Sequence, residues 1–294
     1  MTTEALDTPT PPRPKQILGI GDIVAKTLAI FFQRLPVVIL LTLPAAASIF
    51  GILYLALSEF EREIVGMLGL SGRMGDTMLG FLTFSTALGT GAALASGPLA
   101  GVAQAFIRGT RTPVRACFLA MFRKTVLVIL VGILIAAGVM FLMFMNALLP
   151  GAYVGFLSLL MSLTGGMYLL ARWGLALPTI SQERIGFTAL KRSDWLSAEY
   201  RWQGTGTLVL SFVISVIFGG VFVAGTALAG GYLVYEVMGI SIPNKLQEVL
   251  LFLDFGLGLS ITIAILTLSI VVLRLRLIEI KEPPDIEDMI TVFE

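Results

Sequence analysis

The sequence predicts an all-α, polytopic membrane protein, and three observations carry that prediction. Residues of the AVILMFWYC class make up 56% of the 294-residue chain, charged residues only 13%, and the mean hydropathy is +0.93. A soluble domain averages roughly 45–50% apolar residues and roughly 25% charged ones. The apolar residues fall in long charge-free runs: 35–58, 77–107, 125–171, 202–235 and 255–273. Lysine and arginine gather in the segments between alternate runs, as they do on the cytoplasmic side of multi-span proteins. Disorder is excluded by the same composition, because it requires few apolar residues and much charge.

Residues 1–16 are polar and hold four prolines, so a disordered N-terminal tail is expected rather than a helix. No short apolar core with a small-residue cleavage site follows, so the first apolar stretch should act as an uncleaved anchor. A span needs about 20 residues. The 47-residue run 125–171 is too long for one span and long enough for two, and Asn146, Pro150 and Gly151 mark a turn within it. Extending the last run back across Asp254 completes a sixth span. The predicted spans lie near 36–57, 78–107, 125–148, 152–177, 206–235 and 248–273. Together they form a membrane domain over 17–278, with an acidic tail over 279–294. The second and fifth exceed the bilayer thickness and should tilt or project beyond it.

Seventeen of the twenty Lys and Arg fall on one side of this arrangement, and only Arg62, Arg73 and Lys245 on the other. Both termini are therefore expected in the cytoplasm. The cytoplasmic segments repeat a pattern. Residues 30–40 (IFFQRLPVVIL) and 120–130 (AMFRKTVLVIL) align without gaps. Ile23, Val24, Thr27, Leu28 and Phe31 share a helical face, with Asp22, Lys26 and Gln33 opposite. Val114, Phe118, Met121 and Phe122 share another, behind a Thr112 cap and Pro113. A third copy near 184–202 reads as two short helices. The unit reads as an amphipathic interfacial helix plus a helical hairpin, repeated three times.

Net charge is +1, so no basic field points to nucleic acid. The single cysteine, Cys117, rules out an intrachain disulfide and a cysteine metal cluster, and reads as small apolar filler. The absence of histidine removes the commonest general base and metal ligand together. No GxxxxGK[ST] or dinucleotide GxGxxG motif is present. No catalytic, cofactor-binding or metal-binding residue is therefore expected.

Charges inside spans are costly and hence informative. Asp254 lies about six residues into the sixth span. It could serve as a proton or cation site, but a lone carboxylate without a basic partner fits better one that reaches the outer interface or accepts from Ser and Thr hydroxyls on neighbouring helices. Arg172 ends the fourth span beside Trp173, where snorkelling to phosphates explains it. Lys26, Arg34, Arg115, Arg123, Lys124 and Arg172 are the candidate lipid-headgroup contacts. Glycines are dense in the second span (Gly80, Gly89, Gly91, Gly97, Gly101) and the fifth (Gly219, Gly220, Gly225, Gly230, Gly231). They fit close helix packing, or a moving helix pair of the transporter kind.

Several segments together resemble a bacterial family. They are Gly21-Asp22-Ile-Val-Ala-Lys-Thr-Leu28, then Phe31–Arg34, Gly101–Arg111 and Arg172-Trp-Gly-Leu-Ala-Leu-Pro178. Glu183, Ala189, Leu190, Arg192, Ser193, Trp195 and the tail Lys281–Met289 complete the set. The chain resembles the membrane part of the glycerophosphoryl diester phosphodiesterase membrane-domain-like family and its relatives of unknown function. That resemblance implies a multi-span protein of the bacterial inner membrane. It implies no enzymatic activity here, since only 21 residues follow the sixth predicted span. The expected function is non-enzymatic: contact with anionic lipids of the cytoplasmic leaflet, or a partner or scaffold role toward another membrane protein in envelope maintenance. The alternative is a small-molecule or ion transporter or channel working through Asp254 and the Gly-rich spans.

Overall fold

A computed structural model of the chain describes residues 18–57, 73–112, 114–122, 125–147, 152–183, 186–231 and 244–282. Among these residues every regular element is a helix. In chain order they are α1 (Ile20–Gln33), α2 (Leu35–Leu57), α3 (Arg73–Ile107), α4 (Val114–Phe122) and α5 (Thr125–Ala147). There follow α6 (Ala152–Trp173), α7 (Ala176–Glu183), α8 (Thr188–Ser197), α9 (Arg201–Gly231) and α10 (Asn244–Lys281). Five contain stretches long and apolar enough to cross a membrane: Leu35–Tyr54, Leu82–Ile107, Thr125–Leu142, Arg201–Thr226 and Leu253–Lys281. The 22-residue α6 packs between α5 and α9. The expected N-terminal tail, residues 148–151 of the hairpin turn, Arg123, Lys124 and the tail beyond Glu282 lie outside the described residues.

Helix ends follow backbone chemistry rather than the edges of apolar runs. α10 has 38 residues, about 57 Å at 1.5 Å per residue. It runs through Arg274, Arg276 and Glu279 and ends just before Pro283-Pro284. The fourth predicted span reaches 177, whereas α6 ends at Trp173. Gly174 turns the chain, its N–H donating to the Leu170 carbonyl (2.8 Å), and α7 starts two residues later. A Cβ at position 174 would lie 2.5 Å from that carbonyl oxygen.

α3 and α10 form the centre. α3 packs on α2, α5 and α10, while α10 also packs on α9, α2 and α1. α6 joins α5 to α9 on the far side. Leu41, Leu99, Leu208, Ile265, Leu268 and Leu273 are fully buried where these helices meet. Two glycine pairs allow backbone to touch backbone. A Cβ on Gly89 of α3 would lie 2.5 Å from the backbone of Ile133 on α5, and Gly132 faces Gly89 in return. A Cβ on Gly219 of α9 would lie 2.8 Å from the carbonyl of Gly258 on α10. The sequence motif Gly97-x-x-x-Gly101 does not pair two long helices at its second glycine, because Gly101 receives Cys117 of α4.

α1 buries Ile23, Val24, Thr27, Ile30 and Phe31 against α9 and α10. The apolar face is nearly the one read from the sequence. Its cover is protein, so the face expected at the membrane interface belongs to the core. Phe32, on the open side, meets Phe218 of α9 edge-on at 5.6 Å.

Candidate functional site: a buried arginine and its acceptors

The most concentrated polar chemistry lies where α10 passes α7 and α8. Pro178 has no N–H to donate and is tolerated near the start of a helix. α7 is short, and its residues Ala176–Ile180 are all buried. Leu177 and Ile180 pack with Ala93 of α3 and with Val128, Val131 and Ile135 of α5. This fixes Thr179, Gln182 and Glu183 toward α10. Arg274 meets all three there: Nε donates to Thr179 Oγ1 at 2.8 Å, one terminal nitrogen to Gln182 Oε1, and the other to Glu183 Oε1 at 2.5 Å. The Arg274 side chain is 3% exposed and that of Glu183 27%. Gln104 of α3 donates to Gln182 at 3.1 Å and ties the second central helix into the cluster.

Around this centre the charges alternate. Arg192 of α8 donates to Glu183 (3.3 Å) and, through both terminal nitrogens, to Glu282 at the end of α10. Asp194 accepts from Arg172 Nε at 2.6 Å and from Arg201 at 2.7 Å, so α6, α8 and α9 share one carboxylate. Ser193 donates to the Arg172 carbonyl. Lys281 donates to the Trp195 carbonyl at 2.7 Å, and its ammonium lies 4.9 Å from the Trp195 ring centroid. The hydrogen bond from Arg172 holds the Asp194 carboxyl below its ordinary range, and the bond from Arg192 does the same for Glu282. The Glu282 contact raises Arg192 in turn. These arginines stay protonated and can only donate. The cluster works as an electrostatic clasp that ties α6, α7, α8, α9 and α10 together.

The residues singled out from the sequence separate into groups. Arg172 is paired with Asp194 and stacks at 5.3 Å on Trp173. Lys26 borders a cavity of about 140 Å³ with Asp22, Arg276 and Glu279. Arg34 donates to the Thr110 carbonyl at 3.4 Å, and among the described residues it has no carboxylate within 4 Å. The same holds for Arg108, Arg111 and Arg115. Arg123 and Lys124 are not described. Asp254 accepts a hydrogen bond from Thr226 of α9, the hydroxyl-acceptor reading of that residue. It heads a polar seam in which Thr262 donates to the Ser215 carbonyl (3.3 Å) and Ser269 to Ser211 (2.8 Å). Cys117 is buried against Gly101, and burial pushes its thiol up.

Sequence reasoning missed Arg274 as a buried charge and did not single out Thr179, Gln182 or Asp194. A signal was present: Glu183 and Asp194 are carboxylates set among Arg172, Arg184, Lys191, Arg192 and Arg201, where counter-ions for arginine are expected. Searches across family models, curated proteins and solved structures return no match to this chain, so its reading rests on the physical chemistry of its own residues.

Proposed function

We propose that this chain is a non-enzymatic, six-span inner-membrane protein with both termini cytoplasmic, whose basic face engages anionic phospholipid headgroups. The single observation that supports this reading is the division of its cations. Among the described cations of the C-terminal half, Arg172, Arg192, Arg201, Arg274, Arg276 and Lys281 have a carboxylate of the chain within 4 Å, and the exposed Lys191 does not. Arg34, Arg108, Arg111 and Arg115 form a separate group, unpaired among the described residues and gathered around the α1–α2 and α3–α4 joints. Basic residues beside spans gain about 1 kcal/mol each from an anionic leaflet. A chain that neutralises one group internally and leaves the other open has reserved the second for an external anion.

Six spans follow if α6 crosses with its neighbours. It has 22 residues, about 33 Å, which matches the hydrocarbon core. The resemblance to the membrane part of the phosphodiesterase-domain family agrees with this reading and adds no activity to it. The test is retention of anionic lipid. Replacing Arg34, Arg108, Arg111 and Arg115 together by Gln should strip phosphatidylglycerol from the purified protein while leaving its fold intact. Retention equal to the parent defeats the reading. Cysteine labelling at 62–73 and 240–245 from the outer side checks the topology, and labelling from the cytoplasm alone rejects it.

A further inference from the structure

Resting on that reading, we propose that the groove between α2 and α4 is a site for one anionic phospholipid, its acyl chain along the groove and its phosphate at Arg115. The groove measures about 750 Å³, inside the range of roughly 300–1,000 Å³ typical of small-molecule sites. Leu40, Leu43 and Pro44 of α2 form one wall, and Phe118 and Leu119 of α4 the other. Among the described residues Arg115 is the one ionisable residue that lines it. Leu40 and Leu119 are more than half exposed in the isolated chain, at 55% and 53%. Such side chains are costly facing water and at ease against hydrocarbon.

The groove is kept open by the way α4 is fastened. Cys117 lies so close to Gly101 that a Cβ there would be 2.7 Å from the sulfur. This fixes α4 to α3 by its Cys117 face. Positions 114, 115, 118 and 119, on a different side of the same short helix, are left to line the groove. An apolar slot with one unpaired cation at its border matches a molecule with a long hydrocarbon tail and an anionic head. Phosphate accepts the forked donors of guanidinium better than those of ammonium.

A second groove supplies the contrast. Leu160, Met161, Thr164, Tyr168 and Trp202 line about 470 Å³ between α6 and α9, with no ionisable cation among them. Arg201, the neighbour of Trp202, is already paired with Asp194. That groove can take a hydrocarbon chain without regard to headgroup charge, whereas the α2–α4 groove selects for charge.

The experiment is native mass spectrometry of the full-length protein in detergent doped with equal phosphatidylglycerol and phosphatidylcholine. The parent should keep one phosphatidylglycerol in preference to phosphatidylcholine. Arg115→Gln should weaken phosphatidylglycerol retention about fivefold, which is ~1 kcal/mol for one cation beside an anionic headgroup. It should leave phosphatidylcholine unchanged, and Arg115→Lys should restore most of the loss. Leu119→Trp, which fills the groove, should lower both lipids, and Met161→Trp in the second groove should not alter the preference. Suppose the parent prefers phosphatidylglycerol but Arg115→Gln and Leu119→Trp both leave it unchanged. The groove is then not the site, and the wider lipid reading stands. If Arg115→Gln acts and Leu119→Trp does not, the phosphate contact lies outside the groove and the proposal is overturned. A parent with no preference for the anionic lipid removes both readings.

Discussion

Arg274 and Glu183 form a pair whose two halves should behave unequally. Glu183→Gln removes the one carboxylate among the described residues that touches Arg274 and leaves a cation 3% exposed without an ion-pair partner in contact. Breaking a buried pair in this way costs about 3–5 kcal/mol. Arg274→Met leaves Glu183, which is 27% exposed and keeps Arg192 as partner. Its cost is the lost hydrogen bonds to Thr179 and Gln182 with partial refilling by Met, about 1–3 kcal/mol. The double variant leaves no orphaned charge, so it should be more stable than Glu183→Gln alone. That order, with the double variant above the glutamine single, is the content of the prediction. The assay is thermal unfolding in one detergent at one scan rate, since membrane-protein unfolding is often irreversible and only matched scans compare. If Arg274→Met is the more damaging single change, or the two losses simply add, the buried cation is not what Glu183 serves.

Asp194 and Glu282 are held below their ordinary carboxyl range, so each contributes stability that is present above about pH 4, the unfolded value, and is lost as pH falls through the lower folded value. Proteolytic protection of 188–201 should drop below about pH 4 in the parent, while Asp194→Asn should show lower protection at neutral pH and a flatter acid limb. Gly219→Ala pushes a methyl against Thr262 and the Gly258 carbonyl and should cost about 1–3 kcal/mol; Gly220→Ala meets open space and should be neutral or slightly stabilising, and equal losses at both sites would reject the backbone contact. Asp254→Asn still accepts from Thr226, so lipid retention and thermal stability should match the parent; a selective loss of solute or ion flux in vesicles would instead favour the transporter alternative.

Much of the helix content was legible because charge-free runs of 19 or more residues admit little else in a chain this apolar. Periodicity also read the buried side of α1, for Ile23, Val24, Thr27 and Phe31 are the residues that go inside. It could not say what would cover that side, because a helical wheel holds no information about neighbours, and the cover is α9 and α10. α7 was invisible for a related reason. Ala176, Leu177, Thr179 and Ile180 continue the apolar run, and only the backbone at Gly174 reveals that the helix has ended. In the sequence Arg274 looks like one more flanking charge beside Arg276. A flank charge and a buried one look alike in sequence, and what separates them is a short helix 91 residues earlier. The Asp254 acceptor role and the close glycine contacts were among the readings the residues themselves offered.

The burial of α7 has a consequence for how the chain is made. Its walls come from α3 and α5, which leave the ribosome first, yet its charge is balanced by Arg274, which leaves near the end. Until α10 emerges, Glu183 has, among the described residues, Arg192 alone as partner. Nascent chains fold from the N-terminus onward, so this chain must carry an incomplete polar cluster through synthesis of α9 and much of α10. A chain stopped between α9 and Arg274 would hold long apolar helices but lack the residue that fastens α7 to α10. It should be recognised by quality-control proteases as unfinished even if every helix it contains has entered the bilayer.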